Sequence, residues 1–84
     1  MSYQAQIHVT LKKSVLDPQG KTVLHALETL GFKESKDIRV GKYFEVTLEA
    51  ADEKKAGDSV RKICEQVLIN PVIEDYSFTL KKQI

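Results

Sequence analysis

The stretch Asp37-Ile38-Arg39-Val40-Gly41-Lys42-Tyr43-Phe44-Glu45-Val46-Thr47-Leu48-Glu49 decides the fold, because it reads either as two short strands around a turn or as one long strand. Its apolar residues Ile38, Val40, Phe44, Val46 and Leu48 all occupy even positions. A two-residue hairpin at Gly41-Lys42 would pair Val40 with Tyr43 and Ile38 with Glu45. Phe44, Val46 and Leu48 would then lie on the face opposite Ile38 and Val40. One strand keeps all five on one side, with Gly41 allowing a bend or bulge. The parity favours a single bent strand over Asp37 to Glu49.

Outward from this strand the chain alternates between the two periodicities of regular structure. Upstream, Tyr3, Ala5, Ile7, Val9 and Leu11 take odd positions while Gln4, Gln6, His8, Thr10 and Lys12 take even ones, the period of a half-buried strand. Asp17-Pro18 then predicts a helix start: an Asp carboxylate accepts from orphan N–H groups, and Pro at the first helical position lacks a donor that would be unsatisfied anyway. Val23, Ala26, Leu27 and Leu30 follow at helical spacing. Gly31 supplies a left-handed end to a helix over Pro18 to Leu30, with Phe32 packing back on Leu27.

Downstream, Asp52 predicts a second N-cap, with Glu53 complementing the helix dipole. Ala56, Val60, Ile63, Cys64, Val67 and Leu68 form one apolar stripe, and Asp58 and Lys62 are spaced for an i, i+4 pair. Asn70-Pro71 ends this helix, Asn being tolerant of a left-handed cap. Tyr76, Phe78 and Leu80 alternate along a last strand over Glu74 to Lys81. The expectation is one α+β domain over residues 1–84, a two-layer sandwich in the order β-α-β-α-β. It has a long bent central strand and a mostly antiparallel sheet with two helices on one face.

Composition narrows the function classes. Thirteen basic and 12 acidic residues leave a net charge of +1, so charge gives no reason to expect nucleic acid or an anionic membrane as partner. No apolar run approaches the roughly 20 residues that span a bilayer, and the N-terminus lacks the pattern of a signal peptide, so the expected location is the cytoplasm. Cys64 has no partner for an internal disulfide and lies on an apolar stripe, where a thiol serves as a small core hydrophobe. A domain this small, without disulfides, depends on packing and on oligomerisation for stability.

Catalytic chemistry has few candidates. His8 and His25 have no Cys or carboxylate neighbours at metal-ligand spacing. The serines lack a nucleophile elbow, the glycines are isolated rather than forming a phosphate loop, and Glu74 and Asp75 point to opposite faces of a strand. Tyr43 is the single aromatic on the polar sheet face, short of the stacking platform that RNA needs. That polar face and the free strand edges can instead pack on another subunit. A regulatory module that binds a small ligand is the alternative reading.

Three segments carry a resemblance that covers the whole chain. Val9-Thr10-Leu11-Lys12-Lys13-Ser14-Val15-Leu16-Asp17-Pro18-Gln19-Gly20-Lys21, Ile38-Arg39-Val40-Gly41-Lys42 and Asn70-Pro71-Val72-Ile73-Glu74-Asp75-Tyr76 resemble, in order and spacing, segments of the PurS family. That family is the small subunit of phosphoribosylformylglycinamidine synthase; Lys13 stands where many members carry Pro. The resemblance implies a subunit of an ATP-dependent ligase of purine biosynthesis, with no active site, metal or cofactor of its own. ATP, Mg and glutamine would be used by its partners, a PurL synthetase subunit and a PurQ glutaminase subunit. It implies a homodimer or homotetramer that bridges those subunits and assists ammonia transfer. The residues expected at partner interfaces are Lys12, Asp17, Pro18, Gly20, Arg39, Gly41, Lys42, Asn70, Pro71, Glu74, Asp75 and Tyr76.

Overall fold

The computed structural model describes residues 1–83. The elements are β1 (Ser2–Leu11), α1 (Pro18–Thr29), β2 (Gly41–Glu49), α2 (Glu53–Ile63) and β3 (Glu74–Gln83), with a π-helical turn at Cys64–Leu68 continuing α2. The strands form one antiparallel sheet in the order β2-β1-β3. The register sets Ile7 between Phe44 and Phe78, and Ala5 between Val46 and Leu80. Odd residues of β1 and even residues of both edge strands therefore share one face, as a period of two requires. Tyr3, Ala5, Ile7 and Val9 are buried there with Ala56, Val60 and Cys64 of the second helical segment.

The α+β architecture and the single-strand reading of the middle segment both hold, with one shift of boundary. Strand pairing begins at Gly41 rather than at Asp37, and residues 37–40 run up to it outside the sheet. The cause lies in the neighbours. Gly41 is opposite Thr10, one residue from the end of β1, and the Val40 amide donates to the Asp17 carboxylate instead of to a strand. A Cβ on Gly41 would sit 2.4 Å from the Val9 carbonyl oxygen, so glycine is required by backbone approach rather than by a bulge.

The helix ends follow local chemistry closely. Asp17 caps α1 by accepting from the Gly20 amide, and Asp52 caps α2 by accepting from Lys55 at 2.8 Å. Gly31, at φ 96°, ends α1, with the Phe32 amide donating to Leu27 and the Gly31 amide to Glu28, the paired bonds of a Schellman ending. Asn70 departs from expectation, since among the described residues no non-glycine residue has positive φ. Its carbonyl accepts from Ile73 and Glu74 and its side chain accepts from Val72, making a turn without a left-handed residue.

Two further details of the second helix differ. The π turn, closed by the Ile69 amide on the Cys64 carbonyl, rotates the stripe so that Cys64 is fully buried but Val67 is 76% exposed. Asp58 bonds Arg61 at 3.1 Å rather than Lys62.

The larger difference concerns the layers. α2 packs on β1 and β3, whereas α1 makes no comparable contact with the sheet among the described residues. Residues 12–40 leave β1, form α1, reverse at Gly31 and return to β2 as an arm. The molecule measures 51 × 29 × 14 Å as a result. An Ala at position 41 forces the β2 backbone away from Val9, so Gly41→Ala is expected to destabilise the protein by about 1–3 kcal/mol in urea unfolding.

Candidate functional site

The three segments singled out in the sequence meet at one end of the sheet. Asp17, 4% exposed, uses one carboxylate oxygen to accept from the Gly20 amide at 2.9 Å and the other to accept from the Val40 amide at 2.8 Å. One side chain thus caps α1 and ties it to the start of β2. Gly20 fits against the returning chain so closely that a Cβ there would lie 2.1 Å from the Ile38 carbonyl oxygen. Arg39 closes the same knot from outside: its guanidinium donates to the carbonyls of Leu11 at 3.1 Å, Lys12 at 2.9 Å and Val15 at 3.3 Å. The Val15 amide also donates to Lys12, so the turn closes with Lys13 in place.

The third segment joins through Glu74. Its side chain, 13% exposed, lies 3.6 Å from the Lys42 ammonium and accepts from the Asn70 amide at 2.7 Å. Lys42 and Glu74 sit on opposite edge strands, so their pairing spans β1 over the sheet's helix-covered face. The Lys12 amide donates to Ile73, which anchors the Asn70 turn to the end of β1. A cleft of about 290 Å³ remains among Thr10, Asp17, Gln19, Val40, Lys42 and Glu74.

Each expected interface residue can now be placed. Asp17, Gly20, Arg39 and Gly41 are consumed by the knot itself. Lys42, Asn70 and Glu74 form its link to β3. Tyr76 donates to Glu65 at 2.9 Å and stacks on Phe78, which directs it toward the π turn and not toward the cleft. Pro18, Pro71 and Asp75 are exposed on the rim, where the half-buried Lys12 also lies. The groups not foreseen are Val40, whose amide is the second tether, and the carbonyls of Leu11, Val15 and Ile38. Backbone groups carry no residue signature, although the Arg39 side chain within reach of a loop was the available hint.

The electrostatics describe a structural site. The amides of Gly20 and Val40, opposed by burial and aided by Arg39, hold the Asp17 carboxyl below the usual carboxylate range. Burial and the Glu65 charge push the Cys64 thiol up, which keeps it protonated and unreactive. His8 lies on the polar sheet face with its ring 5.0 Å from that of Tyr43. Among the described residues, no group of three or more His, Cys, Asp or Glu could hold a metal ion, and no helix is long and apolar enough to cross a membrane.

Fold and site together define a small α+β domain whose three singled-out segments are tied to one another by polar bonds at one end of the sheet. Residues 4–82 match the family model of PurS, phosphoribosylformylglycinamidine (FGAM) synthase. The PurS subunit of Bacillus subtilis is 43% identical over 82 residues, covering 98% of this chain and 96% of that protein. The crystal structure of Methanocaldococcus jannaschii PurS, one of the subunits of formylglycinamide ribonucleotide amidotransferase, superposes with a TM-score of 0.86 at 35% identity, covering 98% and 99% of the two chains. A chain in the structure of PurLQS from Thermotoga maritima gives a TM-score of 0.89 at 32% identity, covering 96% of this chain and 99% of that one. The chain belongs to the PurS family.

Two outcomes follow for the knot. Because the folded-state pKa of Asp17 is depressed, its contribution is fully present above the unfolded value and is lost as pH falls through the folded one. Wild type is therefore expected to lose stability below about pH 4, a loss that is smaller in Asp17→Asn in urea titrations across pH. Gly20→Ala should lower the urea midpoint, since the clash with Ile38 outweighs the ~1 kcal/mol that Ala brings to a helix interior.

Proposed function

We propose that this chain is the non-catalytic small subunit of phosphoribosylformylglycinamidine synthase. In this reading it works in the cytoplasm as a homodimer or homotetramer and bridges a PurL synthetase subunit and a PurQ glutaminase subunit. Ammonia released from glutamine by one partner then reaches the formylglycinamide ribonucleotide that the other activates with ATP and Mg. The observation that carries this reading is the end-to-end likeness to a chain of the three-component PurLQS structure from Thermotoga maritima.

The physical contribution of the chain is positional. A bridging subunit must hold partner contacts at a fixed spacing, and the knot at the pole does this by locking three loops with buried or shared polar bonds. The groups left on its rim, Lys12, Pro18, Pro71 and Asp75, are those free to meet a partner. Loops on a rigid frame are the usual carriers of such contacts.

The test combines the two large subunits of the same organism with and without this chain. Glutamine-dependent synthesis should fall to background without it, while the rate with added ammonia should be much less affected; equal glutamine-dependent rates would overturn the proposal. Asp75→Lys, exposed and outside the knot, should leave the melting temperature unchanged and weaken complex assembly by about tenfold in sedimentation or interferometry.

A further inference from the structure

We infer that the π turn and the Asn70 turn together form a docking surface for a protein partner that presents Lys or Arg among apolar side chains. This rests on the reading of the chain as a bridging subunit, and names the patch and the chemistry by which one large subunit is held.

The first observation is an apolar surface that an unbroken helix would have hidden. Val67 stands three residues beyond Cys64 and seven beyond Val60, both fully buried, so continued α-helical spacing would carry it onto the same side. The π turn over Cys64–Leu68 takes it off that side and leaves it 76% exposed. In the next turn Val72 is 77% exposed, with Pro71 and Ile73 also on the surface. Residues of both turns and of the start of β3 line a cleft of about 670 Å³, formed by Glu65, Ile69, Pro71, Glu74, Asp75 and Tyr76. Exposed apolar side chains grouped around a polar-rimmed cleft are the mark of an interaction surface.

That surface is already ordered. The Ile69 amide closes the π turn on the Cys64 carbonyl, and the Asn70 carbonyl accepts from the Ile73 and Glu74 amides. The Asn70 side chain accepts from the Val72 amide, and the Lys12 amide ties Ile73 to the end of β1. Both valines are therefore held in place before a partner arrives, which lowers the ordering cost of binding.

Charge identifies the partner. From Ile63 to Leu80 the chain has three carboxylates, Glu65, Glu74 and Asp75, and no Lys, Arg or His, although the whole chain is +1. All three line the cleft. Glu74 is taken by Lys42 and by the Asn70 amide. Glu65 accepts from the Tyr76 hydroxyl, and among the described residues neither Glu65 nor Asp75 has a basic partner. The helical segment also ends here, at Leu68, and its C-terminal dipole adds to the negative potential. Such a cleft complements a cation flanked by apolar side chains. It repels nucleic-acid phosphates and anionic lipid headgroups. A second copy docked two-fold on the same patch would set like carboxylates against each other.

The experiment uses the full chain and the two large subunits of the same organism, singly and together, in a buffer with Mg, ATP and glutamine. Interferometry follows binding, and light scattering follows the mass of the chain alone. Position 67 is exposed, so Val67→Lys and Val67→Asp should both keep the wild-type melting temperature. Val67→Lys should weaken binding to one large subunit by at least about tenfold, and Val67→Asp by much less. Glu65→Gln/Asp75→Asn, which keeps an acceptor for Tyr76, should also weaken binding. Added salt should weaken the wild-type complex more steeply than that of this double variant. Wild-type binding by all three variants overturns the docking surface and leaves the bridging reading standing. Equal losses from Val67→Lys and Val67→Asp overturn the basic partner. Variants that change only the mass of the chain alone assign the patch to a second copy and overturn it as well. A wild-type chain that binds neither large subunit, singly or together, overturns both the docking surface and the bridging reading.

Discussion

The structure depends on one carboxylate serving two backbone donors. Asp17 accepts from Gly20 and from Val40, residues on either side of a long excursion, and so makes the start of α1 and the start of β2 a single fixed point. A buried carboxylate is costly unless its oxygens are satisfied, and here both are, with the Arg39 charge nearby. Everything between residues 17 and 40 is thereby placed by its ends. The first helix, held at its start by this point, makes no contact with the sheet comparable to that of α2.

The same arrangement separates the molecule into two kinds of surface. Where α2 meets β1, apolar side chains are closed off from water, and Ile7, Val9, Val60 and Cys64 are the largest side chains fully buried; Phe78 and Leu80 of β3 are partly buried against them. Over β2 and along α1 the burial is half made. The pole is different again: its cohesion is polar, from the Lys42–Glu74 pair to the Asn70 turn, and its geometry is set by hydrogen bonds that fix direction as well as distance. A rigid polar pole beside incomplete apolar surfaces suits a subunit that positions others, and accords with membership of the PurS family.

The legibility of the fold varied with the range of the interaction. The helix starts at Asp17 and Asp52 and the Schellman ending at Gly31 were readable because each is settled within about one turn of chain. The strand faces were readable because a period of two is independent of the partner strand. The π turn at Cys64–Leu68 was not. It changes the phase of a stripe without changing its composition, and Val67 was assigned to the core for that reason. The twelve residues expected at partner interfaces were picked out as motifs, but their structural duties were hidden, since Asp17, Gly20, Arg39 and Gly41 act on main-chain atoms that no residue type announces.

The sequence by itself determined the element order, the two helix N-caps and the Gly31 ending, the buried face of each strand, the single-strand parity of the middle segment and the family. Each of these is carried by local spacing or by a motif. Only the tertiary structure decided that α1 leaves the sheet, that β1 is central, and that three distant loops lock together at one pole. Those outcomes depend on contacts between residues more than 20 positions apart, where Asp17 meets Val40, Lys42 meets Glu74 and β1 meets β3, and geometry rather than periodicity selects such partners.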